Sequence, residues 1–385
     1  MWIVDNHTPF ASAAGFMRDQ NARTFWCVWL KARFELRDGK PAFYAPSQSD
    51  PLPGARYVKE NGVDVMAADA DLCLPKPQID LIAHARAYAP GGRYDQPFEA
   101  ALGLGPVQKR IKISPPGVFA RNGRPQYAPS DAAKSGPVSL SYAAAYGGQG
   151  LDPNGAPTLF EDNPIGAGFV PPKGDPAGVA LPRLSLPSQD IQRADRAIAP
   201  ISFGPIPREW AKRRRLGGTY DQAWERSRSP LFPADLDPNF WQAAPLDQRL
   251  EPREIDGATL SLSNMLPPEH HSSARGDQGA PAPFQCPLPQ LDFELSTRFR
   301  GGWHDSEMRL QTIHIDGEAA QLCLTYLGAL PIEAVQNDVL VERSFLALRG
   351  HSGFAVRAAD APAFEAARSS DAPNTPALFE IEGAS

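Results

Sequence analysis

Cysteine is scarce in this chain, and none of the four residues (Cys27, Cys73, Cys286 and Cys323) belongs to a Cys-x-x-Cys pair. Zinc-finger spacing is therefore absent. The first residues show no basic and apolar export signal, so we expect reduced, mostly buried thiols and a cytoplasmic protein. No run of about 18 apolar residues occurs, which argues against a membrane span and a membrane partner.

Basic charge is also in deficit, with 38 Lys and Arg against 44 Asp and Glu and a net charge of −6. This balance gives no general footprint for nucleic acid. The chain lacks the Gly-x-Ser-x-Gly nucleophile elbow and the Walker phosphate-binding pattern. Its seven histidines show no metal-ligand spacing, and His270 with His271 fits two solvated imidazoles. We expect no catalytic residues, no metal and no cofactor.

Proline is what the sequence has in excess, with 41 residues, or about twice the usual share of about 5%. Together with 32 glycines it still stays below the share typical of disordered chains. The composition predicts a mainly β protein with a few short helices (a β-rich α+β class). Antiparallel sheets should be joined by long Pro/Gly-rich connections.

Alternating apolar residues mark the predicted strands. In the first of them Leu30, Ala32 and Phe34 alternate with Lys31 and Arg33, so one face should be buried. The strand predictions cover residues 24–36, 41–44, 79–88, 107–113 and 258–266, with a hairpin over 308–327 around the turn signal Asp316-Gly317. The segment 338–349 fits strand or helix equally.

The domain organisation stays open between two arrangements. Residues 114–206 are rich in Pro, Gly, Asn and Asp and show no long periodic segment. Either residues 1–350 form one domain, or two β-rich lobes lie at about 1–115 and 135–350. Residues 267–289 are predicted to form a loop, and 351–385 a partly loose C-terminal tail.

The clearest helical signals lie between residues 207 and 241. Pro207 suits a first helical position and Gly217-Gly218 ends that helix. Thr219 and Gln222 match a capping box for a second short helix. Asp237 before a proline predicts the start of a third helical turn.

The same region concentrates aromatic side chains and arginines, which are enriched at protein interfaces. The aromatic residues fit a core around the short helices equally well, and the basic run 212–215 fits either an exposed helix face or a contact with an acidic partner. The candidate partner-binding residues are Trp210, Arg213, Arg214, Arg215, Tyr220, Trp224 and Trp241.

Three carboxylates in this region suggest an alternative function. Asp235, Asp237 and Asp247 could supply the acid and base of a carbohydrate- or ester-cleaving hydrolase, with Trp241 stacking on a sugar. The competing interpretation is that they cap helices and form structural ion pairs.

Several motifs follow one another in an order that resembles a bacterial family. The resemblance covers roughly residues 5–335, and its most specific part is the block 203–249. The motifs are Lys76-Pro77-x-Ile79-Asp80, Ala87-Tyr88-Ala89-Pro90-Gly91, Ala145-Tyr146-Gly147-Gly148, Asn163-Pro164-Ile165-Gly166, Phe203-Gly204-Pro205-Ile206, Gly218-Thr219-Tyr220-Asp221, Ala244-Pro245-x-Asp247-Gln248 and Leu310-Gln311-Thr312-Ile313-His314-Ile315-Asp316. They resemble a domain-of-unknown-function family encoded in bacterial type VI secretion gene clusters beside VgrG and PAAR spike proteins and effectors.

The resemblance implies a function that the residues alone do not reveal. An adaptor domain over residues 1–350 would act as a chaperone that binds an effector and helps load it onto a spike. The implied partners are a type VI effector protein and a VgrG or PAAR-type spike protein. A structural scaffold without cargo is the remaining alternative.

Overall fold

The computed structural model describes residues 4–128, 136–271, 282–335 and 341–369. Strands dominate these residues, which confirms the predicted mainly β class with antiparallel sheets. The α-helices of the described residues are α1 (Ala211–Arg214), α2 (Gln222–Ser227) and α3 (Ala361–Ser369). None of these helices is long and apolar enough to cross a membrane. The predicted tail lies outside the described residues from position 370 onward.

Ten strands precede the Pro/Gly-rich stretch: β1 (Val4–His7), β2 (Ala11–Arg18), β3 (Thr24–Glu35), β4 (Ala42–Tyr44), β5 (Arg56–Glu60), β6 (Val63–Ala68), β7 (Ile79–His84), β8 (Arg86–Ala87), β9 (Phe98–Leu104) and β10 (Val107–Ile113). Short strands within that stretch are β11 (Gly117–Phe119), β12 (Pro125–Tyr127), β13 (Val138–Ser139), β14 (Tyr146–Gly147), β15 (Gln149–Leu151), β16 (Pro157–Leu159), β17 (Ala167–Gly168) and β18 (Leu184–Ser185). The later strands are β19 (Arg249–Leu250), β20 (Thr259–Ser263), β21 (Phe284–Pro287), β22 (Gln290–Phe299), β23 (Gly302–Asp305), β24 (Met308–Asp316), β25 (Gln321–Pro331), β26 (Arg343–Ser352) and β27 (Phe354–Ala355).

The largest sheet has eight strands in the order β19-β7-β24-β25-β3-β4-β27, with β2 paired to the first part of β3. Its long strands β3, β25 and β24 are antiparallel, and β7 lies parallel to β24. The strand predicted at 24–36 and the hairpin predicted at 308–327 are therefore confirmed. The predicted segment 79–88 is divided between β7 and β8.

Two further sheets complete the scaffold, in the orders β18-β10-β9-β20-β21 and β1-β26-β22-β23. All three sheets combine strands from both sides of the stretch 114–206, so hydrogen bonds join the two segments suggested as lobes. The loop predicted at 267–289 is wrong at Phe284–Pro287, which pairs with β20; residues 272–281 lie outside the described residues. The open segment 338–349 contains strand β26 from Arg343 onward.

One face of the eight-stranded sheet carries the main apolar core. Leu30, Ala32 and Phe34 of β3 alternate onto this face, as the sequence pattern predicted, and Trp26 and Val28 of the same strand join them. They belong to a continuous cluster that includes Leu102 of β9 and Leu262 of β20 in the five-stranded sheet. Burial of this area between the sheets supplies the main driving force for folding.

The opposite face of the same sheet carries a row of polar side chains. The strand register places Asp80 of β7 beside Thr312 of β24, Thr312 beside Thr325 of β25, and Thr325 beside Lys31 of β3. All four side chains are buried. We call these four residues the polar row. Its burial requires covering groups that satisfy each polar atom.

The Pro/Gly-rich stretch is organised around a small core of its own, which includes Phe119, Tyr146 and Leu181. Asn163 is fully buried, and its side-chain amide donates hydrogen bonds to the carbonyl oxygens of Tyr142 and Tyr146 at 2.9 Å each. The motif asparagine therefore fixes the path of an irregular backbone.

The helical predictions are only partly right. The helix predicted from Pro207 is limited to α1, one turn long. Thr219 does not cap α2, because the Asp221 side chain accepts the hydrogen bond from the Trp224 amide. Asp237 does cap a 3₁₀ turn at Pro238–Trp241, as predicted.

Candidate interaction surface on the central segment

A loop covers the polar row with two charged residues, Asp71 and Lys76. Asp71 accepts hydrogen bonds from Lys31 Nζ at 2.7 Å and Thr325 Oγ1 at 2.9 Å. Lys76 Nζ donates to Asp80 Oδ2 and to Thr312 Oγ1, both at 2.7 Å. Each residue of the polar row therefore has a partner of complementary charge or hydrogen-bonding character, as buried polar groups require.

The polar row also positions residues 203–249, which we call the central segment. The carboxylate of Asp80 accepts hydrogen bonds from the amides of Ala243 and Ala244 at 2.8 and 3.1 Å. Gln248 donates from its side-chain amide to the carbonyl oxygens of Leu81 and Phe203. A segment with little regular structure is thus held against the sheet by side-chain hydrogen bonds to its backbone.

Arg213 is the second anchor of the central segment and has only 1% of its surface exposed. Its guanidinium donates to the carbonyl oxygens of Ile206 and Phe240 at 2.7 and 2.8 Å and to Asp69 Oδ2 at 2.9 Å. Burial alone would raise the pKa of Asp69, but the guanidinium groups of Arg213 and Arg208 lower it below the usual value. The prediction of an exposed basic run is therefore wrong at Arg213.

The other members of the basic run are exposed. Arg214 forms a surface ion pair with Glu161 at 3.5 Å, which contributes little in solvent. Lys212 has no ion-pair partner among the described residues. Lys212, Arg214 and Arg215 remain accessible to a partner, whereas Arg213 is occupied inside the protein.

The aromatic candidates divide in the same way. Trp210 and Trp241 are buried, which matches the core interpretation that the sequence left open. Tyr220 is 58% exposed, and its ring meets the half-buried Trp224 edge to face at 4.7 Å between centroids. The Trp224 indole donates to the Leu231 carbonyl oxygen at 2.8 Å, which orients the ring. Tyr220 and Trp224 therefore form an oriented aromatic pair at the surface.

A groove of about 700 Å³ lies beside the central segment. Its rim includes Leu246, which is 81% exposed, and Leu186, which is 37% exposed. We call it the leucine groove; the side chains that matter for its chemistry are Leu186, Leu216, Leu246, Lys109, Lys212 and Arg249. Its volume lies in the range usual for ligand sites.

Lys109 forms part of the groove wall, and the sequence motifs did not identify it as a candidate. Its Nζ donates to Asp247 at 3.1 Å and to Gln248 at 2.6 Å. Burial lowers the pKa of the Lys109 amine to about 8, which the Asp247 carboxylate only partly offsets. A signal was present, because Lys109 occupies an inward position of β10 between Val107 and Ile111.

The carboxylates of the hydrolase hypothesis each have a local partner. Asp235 accepts hydrogen bonds from the Thr219 amide and hydroxyl, which lower its pKa. Asp237 caps the 3₁₀ turn, and Asp247 pairs with Lys109. Within the described residues no group of three His, Cys, Asp or Glu side chains is arranged to hold a metal ion.

Three of the motifs quoted from the sequence meet at the anchors described above. Lys76, Asp80 and Thr312 meet within one hydrogen-bonded group, and Asp80 reaches Ala244 of the central segment. These motifs come from three distant parts of the chain. Their shared structural task is to fix the shape of the central segment.

Comparisons with known proteins identify a family over most of the chain. No curated protein and no solved structure matches the sequence. A family model described as "Uncharacterized protein conserved in bacteria (DUF2169)" matches residues 21–326. This range includes the polar row, its covering loop and the whole central segment, and the chain belongs to the DUF2169 family.

Proposed function

We propose that this protein is a cytoplasmic adaptor or chaperone for a type VI secretion effector. In this role it binds the effector and helps load it onto a VgrG or PAAR-type spike, without turning over a substrate. The link to type VI secretion comes from the resemblance of the sequence motifs. The supporting observation in the structure is that the anchored central segment presents two accessible features, the Tyr220–Trp224 pair and the leucine groove.

Preorganisation of the central segment supports this function. The buried ion pair between Arg213 and Asp69 and the Asp80 hydrogen bonds hold an irregular backbone in one shape before any partner arrives. A surface that is already ordered loses less conformational entropy on binding. Exposed Tyr, Trp and Arg side chains on such a surface are the residue types that dominate binding energies.

Co-expression with the effector encoded beside this gene tests the proposal. We expect a higher soluble yield of the effector and a complex on gel filtration. Tyr220→Ala should weaken this complex, whereas Tyr127→Ala, at a tyrosine of similar exposure on β12, should not. Deletion of the gene should abolish effector secretion. An effector that is equally soluble and equally secreted without this protein would contradict the proposal.

A substrate screen tests the alternative of a hydrolase. Esterase, glycosidase, nuclease and phosphatase substrates should give only background rates. Turnover that disappears in Asp235→Asn or Asp237→Asn would favour the hydrolase and overturn the adaptor function. A scaffold without cargo would instead show a spike complex but no effector complex.

A further inference from the structure

The leucine groove combines apolar surface with an excess of positive charge, because four cationic side chains line it against two carboxylates, Asp237 and Asp247. Leu246 exposes 81% of its surface, the largest value among the exposed large apolar side chains, and Leu186 lies on the same groove. Covering such surface with aliphatic groups is favourable by the hydrophobic effect. The apolar part therefore fits an aliphatic side chain of a partner.

The charged part of the groove favours an anion. Lys212 is exposed and has no ion-pair partner among the described residues. Among the described residues the Arg249 guanidinium donates to the neutral oxygens of Ala244, Asn239 and Gln242 at 3.1 to 3.2 Å, and the nearby carboxylates of Asp80 and Asp237 offset part of its charge. This surplus of positive charge lies in a chain whose net charge is −6.

The two carboxylates of the groove are already engaged. Asp247 pairs with Lys109, and the Asp237 carboxylate accepts hydrogen bonds from the amide and side chain of Asn239. A carboxylate supplied from outside would therefore find Lys212 available, and Arg249 beside it adds positive charge that Asp237 only partly offsets. Arg and Lys bind carboxylates through charge-assisted hydrogen bonds, which are stronger than neutral ones.

We propose that the leucine groove binds an extended peptide segment of a partner protein in which an acidic residue lies two positions from a leucine, isoleucine or valine. In an extended chain, residues two apart point to the same side, so the carboxylate and the aliphatic group face the groove together. The identification of that partner as the effector rests on the proposed adaptor function. The recognition chemistry rests on the groove alone.

Fluorescence anisotropy tests the inference on the purified full-length chain. The probe is a fluorescein-labelled peptide in which glutamate and leucine alternate at every second position, separated by serines. Control probes replace the glutamates with lysines or the leucines with serines. We expect binding of the acidic probe, at least tenfold weaker binding of each control probe, and a loss of affinity between 50 and 500 mM salt because exposed charges are screened.

Variants then locate the binding site. Lys212→Glu and Leu246→Asp change exposed side chains and should each weaken probe binding at least tenfold with an unchanged melting temperature. Lys40→Glu and Leu151→Asp change exposed residues of the same types elsewhere. They should leave the affinity for the probe within about twofold of the wild-type value. Equal binding of the lysine probe, or wild-type binding in both groove variants, would overturn the inference.

The effector complex separates failure of this inference from failure of the proposed function. If the groove variants lose the peptide and also the effector, the groove is the effector site. An effector complex that survives both groove variants would overturn the groove as its site while leaving the adaptor function intact. Peptide binding without any effector complex in the wild type would instead contradict the adaptor function.

Discussion

The two faces of the eight-stranded sheet are both buried, but one carries the main apolar core and the other carries buried charged side chains beside a small apolar cluster of Cys27, Trp29 and Leu327. Trp26, Val28 and Leu30 point into the main core, whereas Lys31 on the same strand meets Asp71 at 2.7 Å. The apolar face packs against another sheet. The polar face packs against a loop and the central segment, which have little regular structure.

The apolar face contributes mainly stability, whereas the polar face fixes the position of the chain that packs on it. Apolar burial is non-directional, and cores tolerate exchanges of similar volume. Buried charges require partners at defined positions, because an unpaired charge in the interior is costly. The polar row therefore provides what the apolar core does not, namely a fixed position for a segment with little regular structure.

The largest effect is expected at neighbouring residues of β7 that face opposite sides. Asp80→Ala should lower the free energy of unfolding by about 5 kcal/mol, because it leaves Lys76 as an unpaired buried cation. Leu81→Ala should cost about 3 kcal/mol by creating a cavity in the main core. Urea denaturation measures both values.

Hydrogen exchange tells the two changes apart. The amides of Ala243 and Ala244 should exchange faster in Asp80→Ala, which removes their acceptor, than in Leu81→Ala at matched overall stability. Equal exchange in the two variants would show that Asp80 stabilises the fold without positioning the central segment.

The basic run should give a smaller but equally sharp contrast. Arg213→Met should cost about 3–4 kcal/mol, because Asp69 would lose its closest cation and the carbonyl of Ile206 its donor. Arg215→Glu, two positions along at an exposed site, should change stability by less than about 0.5 kcal/mol. Thermal and urea unfolding would decide, and similar values for the two variants would contradict the anchor role of Arg213.

Acid should weaken the polar face selectively through His314. Burial lowers the pKa of His314 to about 4, while an acceptor at the Ala67 carbonyl and Asp316 oppose the shift and Lys31 and Arg56 add to it. Because the pKa in the folded state lies below the ordinary value of about 6.5, the contribution is fully present above pH 6.5 and is lost as the pH falls toward 4. The lowering of the pKa from 6.5 to about 4 corresponds to a loss of about 3 kcal/mol in the free energy of unfolding over this pH range.

The variant His314→Gln isolates this effect from the titration of carboxylates. The free energy of unfolding of the wild type should fall relative to that of the variant as the pH falls from 6.5 to 4, since only the wild type takes up the extra proton on unfolding. Parallel curves over this range would show that His314 is not buried as a neutral imidazole.

The smallest effect is expected on the exposed side of the central segment. Asp221→Ala should cost about 1 kcal/mol because it removes the cap of α2. Thr219→Ala should cost less, about 0.5 kcal/mol, because its hydroxyl bonds Asp235 in solvent. If Thr219→Ala lowered the melting temperature more than Asp221→Ala, the capping box predicted from the sequence would be supported instead.

The sequence pattern succeeded where neighbouring residues decide the structure. Alternation at Leu30, Ala32 and Phe34 predicted strand β3, and Asp237 before Pro238 predicted a capped turn. It failed where a competing local partner existed, since Thr219 and Asp221 are both suitable caps and only the register of α2 selects Asp221. The strand Phe284–Pro287 was missed because its pairing with β20 is not visible in four residues.

The candidate surface was predictable only in outline. The concentration of aromatic and basic residues drew attention to the central segment, but the sequence did not distinguish Trp210 and Trp241, which are buried, from Tyr220, which is exposed. The leucine groove was not foreseen. Its wall residue Lys109 lies 138 positions from Asp247, its ion-pair partner.

The sequence by itself determined the mainly β class, the positions of the long strands β3, β24 and β25 and the irregular character of the stretch 114–206, because alternation, proline and turn residues act on the backbone within a few positions. The tertiary structure decided which face of each strand is covered, that Arg213 alone of its run is buried, and where the groove lies. Arg213 acquires its role from Asp69, which is 144 positions away. Such pairings depend on burial and charge brought together by the whole fold, and a local pattern carries no information about them.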